Sequence, residues 1–423
     1  MLSAIKAPSI DALFSDIPKK ALLKGALRLP SPLSEPELKK ELRSLSEKNT
    51  ANGHRVSFLG GGSYNHFIPS VVRHLAGRSE FYTSYTPYQA ELSQGMLQAI
   101  YEYQTMICNL TGMDVANASM YDGATAAAEA ASLACRHTGR RNVYVSEALH
   151  PEYRTVIKTY GRFAGWNIEE VSPDSSMKDP ACFIFAQPDF FGRIEENAAT
   201  FSDVVHSKGG LSIATVDPIS LGLLAPPGDY GADVVVGEGA ALGGAPSFGG
   251  PGLGLFACKK AFLRLMPGRL SGATVDDKGR RGFVMTLQTR EQHIRRDRAT
   301  SNICTNEALN ALTATIYLSA LGKAGLKKVA ELCLQKANYA KELIKKLPGF
   351  SLPHSAPAFK EFVVSMPFSA KKANEALLGK GIVGGLDLSL FYPERKNQML
   401  LCVTELIAKA DIDRLVKALG EVK

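Results

Sequence analysis

The sequence predicts an α/β protein: a large domain built on a mostly parallel sheet, followed by a smaller C-terminal α+β domain. Three observations carry this. From Ala116 onward, short apolar runs alternate with helical patterns, the order that builds a parallel sheet with helices on both faces. Residues 237–254 follow the run Val234-Val235-Val236 and hold eight glycines in eighteen positions, so this backbone must turn sharply or pass close to something. Near Asn306 the alternation gives way to two long helical patterns. The expected organisation is an arm and helix over 1–60, the large domain over 61–325 and the small domain over 326–423.

A chain of 423 residues exceeds one ordinary core, which supports two domains. Its 45% hydrophobic and 21% charged residues are those of a globular protein. No apolar run approaches the roughly 20 residues that cross a bilayer, and the first residues lack the apolar core of a secretory signal. Seven scattered cysteines, never spaced C-x-x-C, argue against a disulfide framework or zinc site and suggest a reducing cytoplasm. Part of the net charge of +8 sits in residues 278–298, with Lys278, Arg280, Arg281, Arg290, Arg295, Arg296 and Arg298. A solvated face is the ordinary reading; no nucleic-acid module accompanies it, and an acidic protein partner or anionic ligand stays open.

In order along the chain, Ser34 and Glu37 form a capping box, with Pro36 in the first turn and Leu38, Leu42 and Leu45 on one helix face. The glycine-rich loop 58–66 contains Asn65 and His66, and Pro69 closes it before a short helix. Residues 81–89 hold Tyr82, Tyr85 and Tyr88 around Pro87. They read either as a packed surface loop or as a pocket wall, because tyrosines combine rigid apolar area with a polar tip. Leu92, Met96, Ile100, Tyr103, Ile107 and Leu110 make a helical core stripe that ends at Gly112. Helices are then expected over 124–135, 152–162 and 198–205, and strands over 143–145, 182–186, 212–216 and 234–236. Helices 308–321 and 326–347 follow, separated by Gly322 and Gly325, and then an α+β tail with strands at 361–366 and 400–403.

Right-handed crossovers place the loops after parallel strands along one edge. Gly123 and Thr125 open the alanine-rich helix, where free backbone N–H groups can hold an anion. His150 follows one strand, and Asp217 directly follows another, where an aspartate either caps a turn or holds a protonated ring nitrogen. Taken singly these are ordinary turn and cap residues. Their order resembles that of aminotransferase-like pyridoxal-phosphate enzymes of fold type I, in which a Schiff-base lysine follows the strand corresponding to 234–236. No Lys or Arg occurs from Gly209 to Cys258.

Longer strings make the resemblance specific. FLGGGSYNHFIPSVV, FYTSYTPYQAELSQGMLQAIYEYQTMICNLTGMDVANASMYDGATAAAEAA, VDPISLGLLAPPGDYGADVVVGEGAALG and REQHIRRDRATSNICTNEALNAL resemble the P-protein family of the glycine cleavage system. The length resembles the subunit-1 half of a family that also occurs as two chains. The lysine-bearing half carries H-K-T-F-x-x-P-H-G-G-G-G-P-G; anchored on Pro251-Gly252, its His-Lys falls on Gly239 and Ala240, and alanine cannot form an imine.

The resemblance implies decarboxylation of glycine and transfer of its aminomethyl group to the lipoyl arm of H-protein. It implies that pyridoxal phosphate is held covalently by a subunit-2 partner and not by this chain. Asn65, His66, Tyr82, Tyr85 and Tyr88 are then expected to contribute to a shared pocket or channel, and Gly123, Thr125, His150 and Asp217 to be vestigial cofactor-site residues. Two alternatives remain at this stage: an independent pyridoxal-phosphate enzyme using Lys208 or Lys259, and a non-catalytic scaffold that meets an acidic partner through residues 278–298.

Overall fold

The computed structural model describes residues 1–49, 55–172 and 175–422. The chain forms two compact units, Met1–His54 and Arg55–Lys423. In the first, helix Glu35–Ser46 begins as its sequence dictates, with Pro36 in the first turn and the Ser34 backbone N–H donating to Glu37 at 2.9 Å. None of residues 1–49 is buried, so this unit has no core of its own; Leu38, Leu42 and Leu45 are exposed.

The second unit is organised by a seven-stranded sheet. Its spatial order is Val115–Ala116, Gly254–Cys258, Val234–Glu238, Leu211–Val216, Pro180–Gln187, Asn142–Ser146 and Asn167–Val171. The five strands from Val234–Glu238 to Asn167–Val171 run parallel, whereas Gly254–Cys258 is antiparallel to both its neighbours. Alternate residues point to opposite faces. Phe183, Phe185, Ala214 and Val235 join one core cluster, and Cys182, Ile184, Ile213, Val234 and Val236 join the other. Burial on both faces is why these strands read as continuous apolar runs.

Helix Gly123–Thr138 packs on the second face through a run of fully buried alanines, small enough to bring its axis close to the sheet. Strand Asn167–Val171, which the apolar pattern does not signal, is a part-exposed edge strand with Glu169 and Glu170 at its centre. The hairpin of Leu270–Val275 and Arg281–Thr286 is also absent from the sequence reading. Asp276 shapes its turn by accepting N–H bonds from Lys278 and Arg280, and Gly279 supplies φ +73°.

The two expected long helices form one run, Ala308–Ile344, broken by non-helical Gly322. Beyond it a three-stranded antiparallel sheet places Gln398–Cys402 between Glu361–Ser365 and Leu386–Asp387, with a separate core beneath helices Ala370–Gly379 and Lys409–Gly420. Val56 and Ser57, assigned to the arm from sequence, pair in parallel with Ile382 and Val383. Among the described residues no helix is long and apolar enough to cross a membrane.

Several glycines of the glycine-rich stretch are required by close approach. A Cβ on Gly254 would lie 2.5 Å from the Asp122 carbonyl oxygen, and one on Gly237 would lie 2.4 Å from that of Val216. Gly237→Ala is expected to destabilise the protein by about 1–3 kcal/mol through forced separation of two paired strands, read as a lower urea midpoint at unchanged slope.

Candidate functional site

Parallel strands deliver their following residues to one edge of the sheet, and a cavity of about 660 Å³ opens there. His150, Asp189, Asp217 and Glu238 reach it from four strand ends, Tyr64 and Gly62 from the glycine-rich N-terminal loop, and Glu361 from the small sheet. Ala240 lies in its wall. Among the described lining residues there are seven carboxylates and no lysine or arginine.

The start of helix Gly123–Thr138 is the expected anion cradle, and its Gly123 and Thr125 N–H groups are already engaged within the chain. Asp122 and Thr125 cap each other: the Thr125 N–H donates to Asp122 Oδ1 at 2.8 Å, and the Asp122 N–H donates to Thr125 Oγ1 at 3.3 Å. The Gly123 N–H donates to Glu238 Oε2 at 3.0 Å, while Glu238 Oε1 accepts from Ala240 at 2.9 Å and Leu253 at 2.8 Å. Burial pushes the Glu238 carboxyl above the ordinary range, and these three N–H donors pull it back.

Asp217 is engaged as well. Lys360 Nζ lies 2.7 Å from Asp217 Oδ2 and 3.4 Å from the centre of the Tyr64 ring, with only 2% of the lysine side chain exposed. Burial works against this ammonium, but Asp217 and two neighbouring thiols outweigh it and raise its pKa. The same Nζ lies 3.0 Å from His66 Nε2. A charged lysine can only donate there, so His66 donates from Nδ1 to Glu405 Oε2 at 2.7 Å and is neutral. Burial and the adjacent Lys360 both push the His66 pKa down. Glu405 also accepts the Phe67 N–H at 2.6 Å; burial raises its carboxyl, and its hydrogen bonds leave it well below the ordinary range.

These contacts clamp the loop around His66. Glu361 accepts from the Gly61 N–H at 2.6 Å and the Tyr64 hydroxyl at 2.7 Å, and Thr404 donates to the Asn65 carbonyl at 2.8 Å. His150 donates from Nε2 to the Gly61 carbonyl at 2.8 Å and accepts the Glu152 N–H on Nδ1. His66 is thus a buried strut and not a cavity-lining residue, while Asn65 is exposed. Tyr82, Tyr85 and Tyr88 line no part of the cavity; they are 57%, 73% and 60% exposed, and Tyr88 stacks beneath Arg269.

Lys208 and Lys259 both lie at the opposite edge, where Lys208 precedes strand Leu211–Val216 and Lys259 pairs with Asp233 at 2.7 Å, so neither can serve a ligand in this cavity. Residues 278–298 are not uniformly solvated: the buried Arg290 guanidinium donates to the Gly268 carbonyl at 2.8 Å and the Leu287 carbonyl at 3.1 Å. Sequence reasoning missed Glu238 and Lys360. Glu238 carried a weak signal, as the one acid in the glycine-rich stretch; Lys360, a single lysine before an apolar strand, carried none.

Comparison with known proteins accounts for this framework. The family model of the glycine cleavage system P-protein matches residues 1–419. The chain is 52% identical to a probable glycine dehydrogenase (decarboxylating) subunit 1 of Desulforamulus reducens, covering all of this chain and 97% of the relative. A protein of the same name from Geobacillus kaustophilus is 51% identical, with coverage of 100% and 96%. A crystal structure of glycine decarboxylase (P-protein) of the glycine cleavage system in inhibitor-bound form superposes with a TM-score of 0.93 at 43% identity, covering 100% of this chain and 97% of that one. The Burkholderia pseudomallei sphingosine-1-phosphate lyase, at 15% identity and a TM-score of 0.67 over 96% of this chain and 94% of its own, shares the fold alone. The fold is that of fold type I pyridoxal-phosphate enzymes. The residues present here do not fit that cofactor: the anion cradle holds Glu238, Asp217 holds Lys360, and position 240 is alanine.

Lys360→Met is expected to cost about 3–5 kcal/mol by leaving Asp217 buried without its counter-charge. Adding Asp217→Asn should recover part of that loss in a double-mutant cycle by chemical denaturation. The Glu405 contribution has the sign of a depressed carboxyl: fully present at neutral pH and lost as pH falls below about 4.5. Wild type and Glu405→Gln should therefore differ by about 1–3 kcal/mol at pH 7 and converge under acid, measured as denaturation midpoints across pH.

Proposed function

Because this chain belongs to the glycine cleavage system P-protein family, we propose that it is the lysine-less subunit of a two-chain glycine decarboxylase, active only with a lysine-bearing partner subunit. The observation that carries this reading is the site itself: in a fold that places a cofactor lysine after strand Val234–Glu238, this chain has Ala240 and no lysine in the cavity wall. In this reading the partner holds pyridoxal phosphate covalently, and the cofactor supplies the electron sink for loss of carbon dioxide from glycine. The aminomethyl group passes to the lipoyl arm of H-protein, whose disulfide is reduced.

This chain's part is to bind, position and exclude water. Its exposed tyrosines at 82, 85 and 88 and exposed Asn65 are solvent-facing groups suited to complete a partner's pocket, since each offers a polar tip on a held loop. His66 acts through that loop as a positioning residue, bridging Lys360 and Glu405 beneath it. The carbonyl of Gly61 is fixed by His150 from the sheet edge. The reaction then runs in a pocket closed by two chains, which keeps water from the reacting centre.

Reconstitution tests this. The isolated chain should show no glycine–bicarbonate exchange, and adding it to the lysine-bearing subunit should raise exchange by orders of magnitude. Tyr85→Ala should lower the reconstituted rate about tenfold or more without shifting the melting temperature, because this residue is 73% exposed and its side chain makes no hydrogen bond among the described residues. An unchanged partner activity on adding this chain would leave it a scaffold.

A further inference from the structure

The loss of the lysine does not by itself close the cavity, because a phosphate-bearing ring could still be held by an anion cradle and a strand-end aspartate. In this chain both groups are occupied by the chain's own charges, and in each case the occupant carries the charge of the part it displaces. The Glu238 carboxylate takes the Gly123 N–H of the helix start at 3.0 Å, together with the Ala240 and Leu253 N–H groups of the glycine-rich stretch at 2.9 and 2.8 Å. The Lys360 ammonium takes the strand-end carboxylate, 2.7 Å from Asp217. We propose that Glu238 and Lys360 are the residues that set this subunit's specificity against the cofactor: they exclude pyridoxal phosphate from its own cavity, and restoring lysine at position 240 alone would not readmit it.

This exclusion follows from the fold and these contacts and is independent of the division of labour between subunits. An incoming phosphate meets the Glu238 carboxylate, with Asp122 and Glu307 also on the wall and no lining Lys or Arg to offset them. To displace Glu238 from the cradle, the phosphate must first strip three backbone hydrogen bonds from a buried carboxylate. A ring nitrogen reaching Asp217 must displace a buried ammonium, which then loses its carboxylate partner and keeps neutral His66 and the face of Tyr64 beside it. Asp217 carries one negative charge, which Lys360 at 2.7 Å already neutralises, so a second cation there would be only partly compensated. Each occupant also has a structural role: Glu238 ties the glycine-rich stretch to the helix start, and Lys360 ties the N-terminal loop to the sheet edge. The residues expected from sequence to be relics are therefore in use, with new partners.

The test uses the full chain without any partner subunit, so failure of the two-subunit reading does not affect it. Ala240→Lys alone, incubated with pyridoxal phosphate and borohydride, should give no pyridoxyl adduct at the introduced lysine and no retained cofactor after desalting. Ala240→Lys with Glu238→Ala should bind pyridoxal phosphate about tenfold tighter or more, and adding Lys360→Met should tighten it about tenfold again. Circular dichroism and melting would report that each variant is folded. A stoichiometric adduct on Ala240→Lys alone overturns the proposal, as does a folded triple variant that binds no better than that single variant. Should the multiple variants not fold, Glu238→Gln in the otherwise unchanged chain decides the cradle half. It keeps the side chain's size and removes its charge, so affinity for inorganic phosphate by phosphorus NMR should rise about tenfold or more; no rise overturns it.

Discussion

A lysine ammonium removed from water needs a counter-charge at contact distance, and the region around the cavity is arranged to satisfy that need for Lys360. Asp217 supplies the charge from the end of the central strand Leu211–Val216, the Tyr64 ring covers one side, and His66 accepts a remaining hydrogen. His66 can accept only because its other nitrogen donates to Glu405, which fixes the tautomer and, through the Phe67 N–H, the path of the backbone. One ion pair thus joins the large sheet, the small sheet and the loop between them. Glu361, next in sequence to Lys360, holds the same loop by accepting from the Gly61 N–H and from the hydroxyl of Tyr64, whose ring covers Lys360.

The loop around His66 is therefore rigid for reasons far from it in sequence. Its own residues, three glycines followed by polar and aromatic side chains, encode freedom. Its order comes from Asp217, Lys360, Glu361, Thr404 and Glu405, between about 150 and 340 positions away. The exposed tyrosine loop differs. Tyr88 leans on Arg269, while Tyr85 is the most exposed of the three and has no partner within the chain among the described contacts.

How much of this the sequence disclosed follows from where each signal resides. The buried strands and the alanine-rich helix were legible, because two-sided burial writes itself as apolar runs. The edge strand Asn167–Val171 and the hairpin at 270–286 were not, since one is half charged and the other half exposed. In the site, Gly123, His150 and Asp217 were legible because each directly follows or begins an apolar element on the C-terminal edge. Glu238 and Lys360 were not, because their meaning lies in what they touch. A lysine before an apolar strand ordinarily reaches out to water; only the fold brings Asp217 to it. The contacts of His66 were equally unreadable: it was expected beside a shared pocket, and within this chain it lies buried between Lys360 and Glu405.

Those two unread residues change what kind of site this is. A pocket that has lost only its nucleophile keeps its attraction for the ligand, and binding without chemistry would compete with a productive site. Here the Gly123 N–H of the cradle and the strand-end carboxylate remain, but each is already engaged by a charged side chain of the same chain. The cost of emptying them is structural, since vacating Asp217 also unpins His66 and vacating the cradle also loosens the 238–253 connection. Ligand exclusion and loop placement thus depend on the same contacts. A substitution that freed Asp217 from Lys360 would also weaken the support of the loop at 60–67, whereas one that freed the helix start from Glu238 would loosen the 238–253 connection, so each half of the closed pocket is tied to its own piece of backbone.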